Sequence, residues 1–288
     1  MAIVREFKLI NDNGQEYSLM DIENFCLLTE PEGLGYSYNT EYECVGNTFI
    51  ENIRKIQQGA INAEVNFISY DKYKEFVDFI ENSMSLKIAY RIPFEKKEKE
   101  YLRVVQISSL GKTQKNTNGI ITEPVTFNFL SLWYEEREEI YSIEPEEDEI
   151  RWDFEWDSRF NDYNSQSIDY KNQGHVEAPV LLEIEGPVEN PIIEVYIDKK
   201  LYQRVTLTVE IDEYEKITYN SKENEFGIFK INTDGTKESL FDLDVLGNFP
   251  YEDPVIRLPK NQDCEIRLRA DDAIQKAKLT ILPQYFTV

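Results

Sequence analysis

Histidine is all but absent: His175 is the only one among 288 residues. That excludes a histidine metal cluster, and any Ser-His-Asp or Cys-His nucleophile would have to be built around this one imidazole. His175 stands in "GHVEAPVLLEIEGPVENPIIEV" (174–195), just ahead of two strand-like runs joined by a Gly-Pro turn, and reads as a turn residue before a strand. Cysteine is scarce as well. Cys26, Cys44 and Cys264 have unrelated spacings, so there is neither a disulfide framework nor a paired metal motif, and they read as small buried apolar groups. Phosphate-binding glycine loops and the HExxH zinc motif are missing too, and no cofactor is expected. No apolar run approaches the ~20 residues that cross a bilayer. The opening "MAIVREFKLI" is too short and too charged for a secretion signal, so folding in a cytoplasm is expected. Positive charge is also short: 31 Lys and Arg stand against 55 Asp and Glu, a formal net charge of −24. Such a surface repels phosphate, which argues against tight nucleic-acid or anionic-membrane binding; DNA could pass such a protein but not be gripped by it.

Apolar residues, by contrast, make up 41% of the chain, with 18 tyrosines and 16 phenylalanines, enough to bury real cores. At roughly 150 residues per domain the length suggests about two domains. In the first half "REFKLI" (5–10) and "QEYSLMDI" (15–22) flank an "NDNG" turn as a hairpin, and "NAEVNFIS" (62–69) alternates as a strand. "DKYKEFVDFIEN" (71–82) is the clear helix: Tyr73, Phe76, Val77 and Ile80 form one apolar stripe, and Ser69 or Asp71 caps its start. Strands return at 85–92, 100–110 and 121–136, and "PFEKKEKE" (93–100) is a charged loop between the first two. The acidic stretch 137–149 has too few apolar groups to order itself and is read as a linker or a surface ribbon. Beyond it nearly everything reads as β. "IRWDFEWDS" (150–158) alternates strictly, and "NTDG" (232–235) is a tight-turn signal inside a meander. The expected organisation is domain 1–136, linker 137–149 and domain 150–288. The fold class is mainly β: an N-terminal β-sandwich or split barrel with one α-helix, then a C-terminal β-sandwich.

Candidate chemistry is thin. With 55 acidic residues, carboxylate pairs for glycoside hydrolysis carry no information. Trp152 and Trp156 share one strand face and suit sugar stacking, although the inner face of a sandwich explains such a row more simply. "NTDGTKE" lacks the glycine spacing of a calcium loop.

The layout as a whole resembles a known family. Its N-terminal features are "PEGLGYSYNTEYECVGNTFIENI" (31–53), the strand–helix–strand run "INAEVNFISYDKYKEFVDFIENSMSLKIAYRI", "YLRVVQISSLGKTQ" and "VTFNFLSLWY". In the second half come "NQGHVEAPVLLEIEGPVENPIIEV" and "IRLPKN", in which Asn261 stands where glycine is usual but tolerates the same left-handed backbone. In order and spacing these resemble the distal tail proteins of long-tailed bacteriophages, the siphovirus Dit family. The resemblance implies a galectin-like C-terminal sandwich and no enzymatic activity. It further implies a homohexameric ring at the virion's tail tip, assembled in the host cytoplasm. The ring would join the tail tube protein to the tail-associated lysin or tail fibre. N-terminal domains would line its channel, and C-terminal domains would project as docks for a receptor-binding protein or as spacers. From charge alone, Lys96, Lys97 and Lys99 are candidate subunit contacts, reaching an acidic neighbour such as 144–149. The alternative is a carbohydrate-binding module for host-surface recognition with Trp152 and Trp156 as platforms. A hydrolase and a ring protein of a phage-tail-like particle are further rivals.

Overall fold

The computed structural model describes residues 5–21, 26–92, 99–112, 119–142, 165–240, 254–271, 274 and 276–288. The protein is mainly β, with one α-helix among these residues. The chain divides into two compact units, Met1–Glu135 with Tyr285–Val288, and Glu136–Gln284.

The first unit contains β1 (Glu6–Asn11), β2 (Glu16–Ser18), β3 (Met20–Asp21), β4 (Cys26–Glu32), β5 (Tyr38–Val45), β6 (Thr48–Ile56), β7 (Ala60–Phe67), α1 (Tyr70–Glu81), β8 (Leu86–Arg91), β9 (Glu100–Leu110), β10 (Ile121–Phe129) and β11 (Trp133–Tyr134). Its main sheet runs β2-β1-β8-β9-β10-β7-β4-β3. The two end strands are separated in the chain only by Leu19, so the sheet bends back on itself without closing into a barrel. Leu19 sits fully buried at that corner; its N–H donates to Phe7 O at 3.0 Å and its carbonyl accepts from Leu28 N at 2.8 Å. Alternation does the sorting: Ile61, Ala63, Val65 and Phe67 of β7 point inward with Val125, Phe127 and Phe129 of β10.

α1 closes this core. Its N-cap is Ser69, whose hydroxyl accepts from Lys72 N at 3.3 Å. Phe76 is its one buried residue, 5.4 Å ring to ring from both Phe67 and Tyr17. Phe79, not Val77, completes the packed stripe with Tyr73 and Ile80. Replacing Ser69 with Ala removes the cap and is expected to cost about 1 kcal/mol. The check is the urea midpoint, and an unchanged midpoint would show that the cap contributes nothing.

The second unit contains β12 (Arg137–Ser142), β13 (Ser165–Lys171), β14 (Ala178–Glu185), β15 (Val188–Glu189), β16 (Ile192–Ile197), β17 (Lys200–Thr206), β18 (Glu210–Ile211), β19 (Lys216–Asn220), β20 (Gly227–Ile231), β21 (Lys237–Ser239), β22 (Arg257–Leu258), β23 (Asp263–Arg269) and β24 (Lys276–Ile281). The last strand, β25 (Gln284–Tyr285), spans the boundary between units. A seven-stranded sheet, β12-β24-β14-β19-β20-β21 with β22 on β14, and a four-stranded sheet, β13-β23-β16-β17, share one apolar core, which makes this unit a β-sandwich. The turn signals act as turns. Gly235 has φ +83 and its N–H donates to Asn232 O at 2.9 Å, and Asn261 adopts φ 58. At Gly186 a Cβ would lie 2.2 Å from Asp212 O, so that corner admits only glycine.

Two expectations are corrected here. Residues 137–142, expected to begin a linker, form β12, which pairs with β24 from Arg137↔Ile281 to Ser142↔Lys276. An edge strand needs a backbone partner more than apolar side chains, and Glu138 meets Lys278 at 2.6 Å across the pair. Residues 285–288, expected in the C-terminal domain, belong to the first unit, where Tyr285 joins the core beside Tyr101. The remainder of the expected linker, 143–149, lies outside the described residues.

Candidate functional site

Strands β5 and β6 stand apart. Among the described residues they pair only with each other, in a sheet of their own. Their ladder runs from Tyr38↔Ile56 to Val45↔Thr48, with a shift after Glu41 that leaves Asn52 as an extra residue on β6. Gly46, at φ +65, takes the first corner of the two-residue turn, the place glycine holds in a type II′ hairpin. The base is anchored within the first unit. Tyr36, Tyr38 and Phe286 form a ring cluster with centroids 5.3–6.0 Å apart, and Arg54 lies 3.8 Å over Tyr38. Beyond that base the ribbon is an arm in solvent, and every residue of β6 is exposed.

The arm carries apolar side chains on both faces. Cross-strand pairing puts Tyr42, Cys44 and Phe49 on one face, continuing from Tyr38 and Ile56. The other face shows Val45, Ile50 and Ile53 beside Glu41 and Glu43. Phe49 is 72% exposed and Tyr42 62%. A lone two-stranded ribbon is marginal in water, and a contiguous exposed apolar patch marks a surface that another molecule covers. Burying one such side chain fully yields about 1.5–3 kcal/mol. Chemically the arm offers no acid, base or nucleophile in a built arrangement; what it offers is area and two unpaired strand edges.

His175 is exposed in the bend before β14, and its backbone N–H donates to Gln284 O at 2.7 Å, a strand-entry role. Lys99 is ion-paired with Glu135 of its own chain at 3.0 Å. Lys96, Lys97, Trp152 and Trp156 lie outside the described residues. Cys26 and Cys264 are buried, and Cys44 is exposed on the arm. Burial pushes the Cys26 thiol up to about 11, which leaves it inert at neutral pH. In a surface groove lined by Glu6, Lys8, Glu16, Arg91 and Glu100 both cations are already paired: Lys8 meets Glu16 at 2.8 Å and Glu100 at 2.9 Å, and Arg91 pairs with Glu6. Among the described residues no three His, Cys, Asp or Glu converge as a metal site, and no helix is long and apolar enough to cross a membrane.

The arm was missed by sequence reasoning. "YECVGNTFI" (42–50) holds the signal, a Gly-Asn turn between alternating runs, but alternation alone says nothing about which face meets a core.

The family described as "Distal tail protein, N-terminal domain" matches residues 6–130. None of the curated proteins matches in sequence. Among solved structures, a chain of the phage P2 baseplate in its activated conformation with Ca superposes with a TM-score of 0.67 at 14% identity, covering 99% of this chain and 100% of that one. The same baseplate with Sr gives 0.68 at 15% identity, with the same coverage. The SPP1 Dit protein (gp 19.1), described as a paradigm of the hub adsorption apparatus in phages that infect Gram-positive hosts, gives 0.57 at 11% identity over 96% of this chain and 98% of that one. At such identities the structural likeness is one of fold. Residues 6–130 match the family of distal tail protein N-terminal domains, and the chain shares its fold with a chain of the phage P2 baseplate and with the SPP1 Dit protein.

Proposed function

We propose that six copies of this chain close into a ring at the tail tip, between the tail tube on one side and the tail-associated lysin or fibre on the other. The β5–β6 arm carries this reading: its two apolar faces and free edges are a head-to-tail connector. A heterologous contact closes into a ring when the rotation per copy fits, and it needs two different surfaces on each copy. The arm supplies one, and the body of the next copy supplies the other. The segment holding Lys96 and Lys97 is a second contact, toward an acidic neighbour, while Lys99 is taken up by Glu135 of its own chain. First units line the channel, and the net charge of −24 keeps passing DNA from adhering. Second units, galectin-like sandwiches, project outward and carry the receptor-binding protein. The ring assembles in the bacterial cytoplasm and remains in the virion.

Electron microscopy of the purified protein and of tails that contain it tests this. Six-fold rings at the tip are expected. Tails that assemble normally without the chain, or rings of another symmetry, would overturn it.

A further inference from the structure

The outer face of the four-stranded sheet in the second unit is built in an unusual way. Ile193 and Val195 of β16, Val205 of β17, and Ile266 and Leu268 of β23 point into the core. Glu194, Tyr196, Arg204, Glu265, Arg267 and Arg269 therefore share the opposite face. The register places Arg204 on one side of Glu194 and Arg267 on the other. Although it sits on the outer face, Glu194 is only 1% exposed. Its Oε1 accepts from Arg204 Nε at 2.9 Å, its Oε2 accepts from Tyr196 Oη at 3.0 Å, and Arg269 Nε lies 3.4 Å from Oε2. Arg267 lies 4.3 Å over the Tyr196 ring and is held by Glu265 through two bonds of 2.7 and 3.0 Å. That contact holds the Glu265 carboxyl below its usual range.

Glu194 fixes Arg204 and Arg269, and Glu265 fixes Arg267, while the outer surfaces of these arginines stay in water: their side chains are 31–37% exposed. Beside them on β17 stand Leu201 and Tyr202, 45% and 47% exposed. A buried carboxylate among guanidinium groups stabilises a fold no better than a well-packed apolar residue would. Together Glu194 and Glu265 hold three planar donors in place at little entropic cost to a ligand.

We propose that this face docks an acidic protein segment that also carries an apolar or aromatic side chain. Arg and Tyr are the residues that dominate protein interface centres, and Leu201 and Tyr202 supply the apolar border. Ordered cations within a chain of net charge −24 select for carboxylates. A flat sheet face suits a protein partner better than a small anion, which favours a concave site. The proposal rests on the carrier role given above to the second unit and names the surface that performs it.

The test uses the full chain and a fluorescein-labelled copolymer of glutamate and tyrosine, read by anisotropy. Arg267→Ala leaves Glu194 clamped by Arg204 and Arg269, so the fold is kept, and binding is expected to weaken about tenfold. Tyr202→Ala is expected to weaken it several-fold, whereas Lys237→Ala, on the other sheet, leaves it unchanged. Parental binding by both Arg267→Ala and Tyr202→Ala would overturn the proposal. So would equal losses in all three variants, which would mean diffuse attraction, or polyphosphate competing as well as the copolymer, which would mean a plain anion site. Rings without copolymer binding would remove this face and leave the ring reading intact. Copolymer binding without rings would do the reverse.

Discussion

Phe49→Asp is expected to abolish ring formation while the isolated chain stays folded. Phe49 makes no core contact; it stands 72% exposed near the tip of the arm, opposite Cys44 and one residue from Ile50. Substitutions at such positions change monomer stability by within about 0.5 kcal/mol. Covered by a neighbouring copy, the ring becomes a desolvated aromatic anchor whose removal costs about 2 kcal/mol or more. That is roughly thirtyfold in one association constant, and the loss recurs at every contact of a closed ring. A buried carboxylate raises the cost further, because it must be desolvated without a partner. Light scattering and microscopy report assembly, and circular dichroism reports the fold. Phe49→Asn separates lost apolar contact from added charge and is expected to disrupt as well, though less. Rings that persist in Phe49→Asp would remove the arm from the assembly.

The second large effect is on stability. Trp133→Ala is expected to destabilise the first unit by about 3–5 kcal/mol, a large part of the roughly 5–15 kcal/mol that holds a domain. Trp133 is fully buried, with Tyr90 and Phe129 rings 5.9 and 6.1 Å away. It also borders a buried cation. The Arg103 guanidinium lies 3.4 Å over Phe129 and 5.4 Å from the Trp133 ring, and its Nε donates to Ser131 O at 2.7 Å. Burial pushes Arg103 down to about 9, still above neutral pH, so the charge persists inside the core. Removing Trp133 leaves a cavity and strips one aromatic face from that charge. Trp133→Phe keeps most of the volume and is expected to cost less. A loss under about 1 kcal/mol for Trp133→Ala, by urea titration, would show that the neighbouring rings collapse into the space.

These two positions mark how far the sequence could be read. Trp133 and Phe49 both follow alternating apolar runs, and nothing local separates a residue at the centre of a core from one on a solvent arm. For the arm the difficulty is sharper, because apolar residues occupy both faces of β5–β6 and period-two reasoning has no face to assign. β12 was misread for the opposite reason: half of its residues are charged, and its order comes from a ladder to β24, more than 130 residues later in the chain. The Arg–Glu–Tyr face of the second sandwich was equally hidden, since it joins strands β16, β17 and β23, and Glu194 is one acid among 55 until the register sets it between arginines.

By itself the sequence determined the helix, with Ser69 or Asp71 to cap it, the alternation of most strands, the turns at Asn232–Gly235 and Asn261, and the poverty of groups for catalysis. Those follow from interactions between residues near in the chain, and from residue types that are simply missing. The tertiary structure alone decided which apolar residues are covered, which acidic segment becomes an edge strand, and which charges meet. Those outcomes depend on pairings between segments distant in sequence, where register fixes what faces water.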